Sequence, residues 1–359
     1  MASTAPETAP IATLQAGRAL AALAVVLLHA ASSTATFIAA PPAPVAAVAG
    51  FGYLGVDFFF VLSGFIIYYT SAGRARRPGW RRGFAASRLI RIFVPYLPVG
   101  VGIALLYTFV PGVGLRDQNW GWLSSLTLLP TGQPPALTVA WTLQHELVFY
   151  ALAVLFFACT RPVVLAAAWA AAIAGWWLAF GPLDGLPTQS VAAVLLHPIN
   201  LEFLFGMGAA WAVLHRRFDR PLLLCLPGFA FIILFFAYGA TKPLSVIFGL
   251  GVAFFLPVLV RLERAGRIAV PGWLLLLGDA SYALYLVHNP LISVSSRLVA
   301  AVAPNWLAGM ALGMAASVAG SLIFYLVYEK PARRWVRARL SRIGREPLEA
   351  PAVDGGAKL

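Results

Sequence analysis

Apolar positions in this chain gather into long runs, each about the 20 residues a helix needs to cross the hydrocarbon of a bilayer. They fall near 12–32, 49–70, 90–110, 138–159, 163–181, 192–214, 222–239, 244–261, 273–297 and 305–328. The pattern predicts an all-α polytopic membrane protein of about ten transmembrane helices. One connection is longer, from Pro111 to Pro135, and holds Trp120, Trp122 and a Pro-Pro turn. It is expected to lie at the interface or to fold back onto the bundle. Three parts follow along the chain: a short N-terminal segment 1–11, a transmembrane domain 12–335 and a basic tail 336–359. From Gly344 that tail is rich in proline and glycine, and disorder is expected there. Met1 to Pro10 contains Glu7 and no basic residue, and the first cation, Arg18, lies inside an apolar run. A cleavable signal peptide is therefore not expected.

Composition excludes a soluble domain, because 60% of residues are hydrophobic and 11% charged where a soluble chain carries about 25% charged residues. Cys159 and Cys225 sit in apolar runs and suggest neither a disulfide framework nor a metal motif. A net charge of +13 would suit nucleic acid, but its distribution has another explanation. Arg74, Arg76, Arg77, Arg81, Arg82, Arg88 and Arg91 separate runs two and three, and Arg161 follows run four. Arg216, Arg217 and Arg220 follow run six, Arg261, Arg264 and Arg267 follow run eight, and eight more cations lie from Lys330 to Lys358. The opposite connections hold Arg116, Lys242 and Arg297. Cytoplasmic loops of membrane proteins concentrate lysine and arginine, so both termini and the even-numbered loops are expected in the cytoplasm. The charge then reports topology, and no nucleic-acid partner is expected.

Ionisable groups inside membrane helices are costly and face polar interiors or pathways. Arg18 and His29, eleven residues apart in the first run, share one helix face and lie roughly 16 Å apart along the membrane normal. Alone, Arg18 suits a residue that snorkels to the inner interface, and His29 a hydrogen-bonded interior residue. The second run brings Asp57 to a depth like that of His29, where a carboxylate is placed either to orient a histidine base or to pair with a structural cation. Ser63-Gly64 in the same run permits close helix approach. Glu146 opens the fourth run at a similar depth, Glu202 lies in the sixth and His288 in the ninth, with Asn200, Tyr282 and Tyr285 as further polar groups. So many buried ionisable groups point to a polar cavity. Arg88 and Arg91 share a face where the third run begins. They suit either positive-inside anchors or a two-guanidinium grip on phosphate. Tyr328-Glu329-Lys330-Pro331 reads as a helix stop.

Taken in order, these residues resemble the membrane-bound acyltransferase-3 family, bacterial enzymes that O-acylate cell-surface and exported carbohydrates. The resemblance covers about residues 11–335. It rests on Arg18 with ten residues before His29, on Gly55-Val56-Asp57-Phe58-Phe59-Phe60 to Ser63-Gly64-Phe65, and on Arg88-Leu89-Ile90-Arg91. Trp141-Thr142-Leu143 with Glu146, Ser281-Tyr282-Ala283-Leu284-Tyr285-Leu286 with His288, and Glu329-Lys330-Pro331 complete it. Two details depart from the usual form. Leu14-Gln15-Ala16-Gly17-Arg18 has glutamine where the family more often has aspartate, and Gln144-His145-Glu146 is closer to the exopolysaccharide-modifying subset. No hydrolase-like domain follows the tenth run, which points away from members that hand the acyl group to an attached second domain.

The resemblance implies His29 as the catalytic histidine, Arg18 as its required companion, and Arg88 and Arg91 as the cofactor-binding residues for an acyl-CoA donor, acetyl-CoA being expected. Asp57 or Glu146 is the carboxylate expected to orient His29. Trp141, Ser63, His288 and Tyr285 form an expected substrate or structural polar cluster. No metal or prosthetic group is expected. The expected partners are the lipid bilayer, a carbohydrate acceptor and polysaccharide-assembly proteins, and the expected location is the bacterial inner membrane. The rival reading is a transporter or exporter of an acylated glycan or small molecule, its path lined by the same polar residues.

Overall fold

The computed structural model describes residues 11–75, 77–110, 112–113, 119–181, 190–216 and 220–343. The expectations for residues 1–10 and for the disordered tail from Gly344 lie outside them. The described residues form helices and no strand, apart from an isolated bridge between Thr131 and Ser190. In chain order the helices are α1 (Ala12–Phe37), α2 (Ala43–Gly50), α3 (Leu54–Ser71), α4 (Trp80–Phe109), α5 (Trp122–Thr127), α6 (Trp141–Ala158), α7 (Pro162–Phe180), α8 (Val191–Leu195), α9 (Asn200–His215), α10 (Cys225–Ala237), α11 (Ser245–Arg264), α12 (Gly272–Asp279), α13 (Ser281–Val302), α14 (Trp306–Phe324) and α15 (Lys330–Ile343). Among the described residues, eight helical stretches are long and apolar enough to cross a membrane: Ala12–Phe37, Ala43–Ser71, Trp80–Phe109, Thr138–Ala158, Pro162–Phe180, Val191–His215, Lys242–Arg264 and Trp306–Leu340. The other two expected spans coincide with the shorter Pro221–Ala237 and with α13, whose run is broken by His288, Asn289 and Arg297.

α1 is the central helix, with α3, α11, α12, α13 and α14 packed on it. Small residues make this approach close, as expected where lipid and protein interior are equally apolar and contact depends on shape. Ala19, Ala22 and Ala30 are buried on α1. A Cβ built on Gly55 would come within 2.4 Å of the Ala21 carbonyl oxygen. The α3–α9 contact is closer still. A Cβ on Gly206 would lie 1.8 Å from the Val61 carbonyl oxygen, and one on Gly64 would lie 2.0 Å from that of Phe203. The start of α1 is held by Glu263 at the end of α11. Its carboxylate accepts from the Ala12 N–H at 2.6 Å, the Thr13 N–H at 2.8 Å and the Thr13 hydroxyl at 2.6 Å. Those are the unpaired donors of a helix N-terminus.

Two prolines refine the expectations. Pro98 inside α4 removes the N–H that would bond the Val94 carbonyl four residues earlier, and the Tyr328 hydroxyl donates to that carbonyl at 3.2 Å. Pro331 does not stop the last span, contrary to the sequence reading. A wide π turn over Tyr325–Glu329 leads directly into α15. Pro331 is then in the first turn of the next helical segment, where a missing N–H is tolerated. The loop before α6 folds back onto α4, as one of its two expected placements. Tyr96 donates to the Ser125 carbonyl at 2.6 Å, and Leu128 is buried in the core.

Candidate active site

A cavity of about 130 Å3 runs between α1, α3, α4, α6, α9 and α13. One end is basic and hydroxyl-rich. Arg88 and Arg91, one turn apart on α4, line it with Arg18 of α1, Arg74 beyond the end of α3, and Thr70, Ser71 and Ser87. The Arg88 guanidinium lies 5.3 Å from the Phe84 ring centroid and 5.6 Å from that of Tyr150. Such contact with aromatic faces holds a planar cation in one orientation. Glu146 is on the same wall and accepts from the Tyr150 hydroxyl. Arg91 is within electrostatic reach of Glu146, Glu329, Tyr150 and Tyr282. The middle of the cavity is apolar, walled by Phe59, Phe60, Leu62, Leu143 and Phe203, with Ser63 among them. Thr142 and Tyr285 close the far end; their hydroxyls are 2.8 Å apart, and Tyr285 lies 3.0 Å from the Val139 carbonyl oxygen.

Arg18 is buried at 5% exposure and does not snorkel. It donates to the Gln15 side-chain oxygen at 2.9 Å, and Gln15 in turn donates to Asp279 at 2.6 Å. A Cβ on Gly278 would lie 2.3 Å from the Gln15 carbonyl oxygen, so the α12–α13 junction sits directly against this turn of α1. Glu329, read in sequence as part of a helix stop, pairs instead with Arg333 at 3.0 Å and lies within reach of Arg18 and Arg91. Asp279 was not singled out in the sequence reading, although it carries the signal that marked Asp57 and Glu202, a carboxylate inside an apolar run.

His29 is not among the residues that line the cavity. Its Nδ1 is 2.9 Å from the Val25 carbonyl oxygen and 3.3 Å from Nε2 of His288. The two rings meet edge to face with centroids 4.9 Å apart. His288 also touches Tyr285, centroids 5.9 Å apart, so one aromatic ring separates the cavity from the histidine pair.

Asp57 and Glu146 are not hydrogen-bond partners of His29, in contrast to the expectation that one of them orients it. Asp57 is two residues beyond Gly55, the contact with α1, and two residues turn a helix by about 200°. It therefore faces away from α1, toward Glu202 of α9 and Ser245 of α11. Glu146 is held at the arginine end by Tyr150. Trp141 packs against His145 and His197, with centroids at 5.6 and 6.5 Å. Asn200 donates through its amide to the Val194 and Leu195 carbonyls, leaving its oxygen to accept from His145 Nδ1 at 3.1 Å. His145 entered the sequence reading only within Gln144-His145-Glu146, and His197 not at all, although each is a histidine inside an apolar run, the signal that marked His29 and His288.

Comparison with known proteins gives the arrangement a context. Residues 11–326 match the family model described as an acyltransferase domain. The exopolysaccharide production protein ExoZ of Rhizobium meliloti (strain 1021) is 34% identical over 322 residues, covering 80% of this chain and 92% of its own. The acyltransferase MdmB of Streptomyces mycarofaciens is 26% identical over 348 residues, covering 86% and 87%. No solved structure matches. A helical bundle with membrane-length apolar helices, matched over most of its length by this model and these relatives, belongs to the acyltransferase-3 family and is an acyltransferase.

Proposed function

We propose that this chain is a ten-span O-acyltransferase of the bacterial inner membrane, with both termini in the cytoplasm. It carries an acyl group, acetyl by expectation, from cytoplasmic acyl-CoA to a hydroxyl of an exported or cell-surface carbohydrate. The observation that carries the reading is the polarity of the cavity. Its arginine end lies with the helix ends flanked by the basic loops, and its far end stops one ring short of the His29–His288 pair.

Arg88 and Arg91 grip the donor's phosphates through forked, charge-assisted hydrogen bonds. Arg18, fixed through Gln15, adds positive charge beside the thioester arm. The apolar middle of the cavity accepts that arm and brings its acyl end toward Tyr285. His29 removes the acceptor hydroxyl proton as the oxygen attacks the thioester carbonyl. The carbon–sulfur bond breaks, and the proton returned by His29 ends on the departing thiol. Glu146 keeps the arginine end balanced in charge. A carbohydrate acceptor is favoured by the likeness to an exopolysaccharide production protein and by the Gln144-His145-Glu146 form, and polysaccharide-assembly proteins are the partners that such an acceptor implies.

His29→Ala is expected to abolish transfer of labelled acyl groups from acyl-CoA to surface glycan while the protein stays inserted in the membrane. Retained transfer would refute the assignment. Mass spectrometry of glycans from cells with and without the protein reads both the acyl mass and the sugar. Glycan movement without CoA consumption would support the transporter reading instead.

A further inference from the structure

We propose that His288 positions His29 for proton transfer, in the place that a carboxylate occupies in Asp–His arrangements. This rests on the reading of His29 as the base.

His288 is fully buried in α13, and its Nδ1 is 2.9 Å from the Leu284 carbonyl oxygen one turn earlier. A carbonyl oxygen accepts only, so Nδ1 carries the proton of a neutral His288 and Nε2 keeps its lone pair. That lone pair faces His29 Nδ1 at 3.3 Å. His29 Nδ1 also meets the Val25 carbonyl at 2.9 Å, a second acceptor. Both neighbours thus call for a proton on His29 Nδ1, which leaves Nε2 as the bare base atom; the tautomers are assigned from these partners. Val25 belongs to α1 itself, while His288 comes from another helix. Two acceptors from different directions fix the rotation of the ring as well as its tautomer. When His29 takes a proton, the His288 lone pair faces an N–H of the resulting imidazolium.

Other groups leave the role to His288. Lys242, ahead of α11, is the charged residue whose field reaches His29. α14 contains no titratable side chain between Trp306 and Phe324. Asp57 of α3 turns toward α9. A carboxylate at position 288 would bring an unpaired buried charge, which is costly, whereas a neutral imidazole supplies the same acceptor without one. The Tyr285 ring packs against His288 from the cavity side.

The test compares His288→Phe, which fills the space without an acceptor, with His288→Gln, whose amide oxygen reaches the position of Nε2. For His288→Phe the expected result is kcat lowered about tenfold or more, with donor KM unchanged within about twofold. His288→Gln is expected to restore most of kcat. In 15N NMR of labelled histidine, His29 is expected as the Nδ1–H tautomer in the natural protein and in His288→Gln, and as a tautomer mixture in His288→Phe. An unchanged kcat and tautomer in His288→Phe, with His29→Ala inactive, would overturn the proposal. Activity in His29→Ala would instead overturn the reading beneath it. If the phenylalanine variant fails to insert, His288→Asn, too short to reach His29, takes its place and is expected to lose kcat where glutamine keeps it; equal activity in the two would overturn the proposal.

Discussion

Arg88 and Arg91 share a face of α4 but meet different surroundings, and on the proposed reading their substitution separates two contributions to donor binding. Arg88 lies against two aromatic rings, so Arg88→Lys keeps the charge and loses the planar contact that orients it. Arg91 sits among carboxylates and tyrosine hydroxyls. Both Arg88→Lys and Arg91→Gln are expected to raise donor KM, by about tenfold for the latter through loss of a charge-assisted contact. Acyl-CoA saturation curves read the effect, with kcat changing less. This arginine pair was legible in sequence because spacing alone places both on one face. Asp57 was legible only in part. Its depth follows from residue count and helix rise, but its direction depends on which neighbour touches which face. In a membrane the lipid side and the protein side are both apolar, so no polarity pattern along α3 marks the side that meets α1. Glycine marks the close contacts on both sides, Gly55 against α1 and Gly64 against α9, and Asp57, seven residues before Gly64, shares the α9 face.

Helices were largely legible as elements, and what the apolar runs did not carry was how their interruptions are absorbed. Pro98 breaks the ladder of α4, and the remedy comes from Tyr328, more than 200 residues later in the chain. Tyr328→Phe leaves the Val94 carbonyl unpaired and is expected to lower stability by about 1 kcal/mol, read as a fall in thermal midpoint in detergent. Pro331 misled the reading for a related reason, because a π turn admits proline without ending the rod and nothing in four residues announces it. The α3–α9 contact admits no substituent at Gly206. Gly206→Leu must push two backbones apart, and a loss of at least about 2 kcal/mol is expected from overpacking, measured as a lost folded fraction by size-exclusion chromatography. Gly208→Leu, with open space around its Cβ position, serves as the control.

At the scale of the molecule, the arginine distribution and the cavity agree in direction. The basic loops, the end of α3 and the arginine end of the cavity lie together, as the proposed donor site and topology require. Side-specific thiol labelling checks this in a background without Cys159 and Cys225. Arg220→Cys is expected to label from the cytoplasmic side and Lys242→Cys from the outside.

The closed far end of the cavity has a consequence for the cell. A protein that passes an activated group across a membrane through an open duct would also pass protons and water, draining the ion gradient and spoiling the thioester. Here Tyr285, its hydroxyl 2.8 Å from that of Thr142, closes the cavity short of the histidine pair. With donor supplied and acceptor withheld, release of free thiol is expected to stay near the uncatalysed background. Tyr285→Ala is expected to raise that idle release while vesicles holding the variant become leaky to protons.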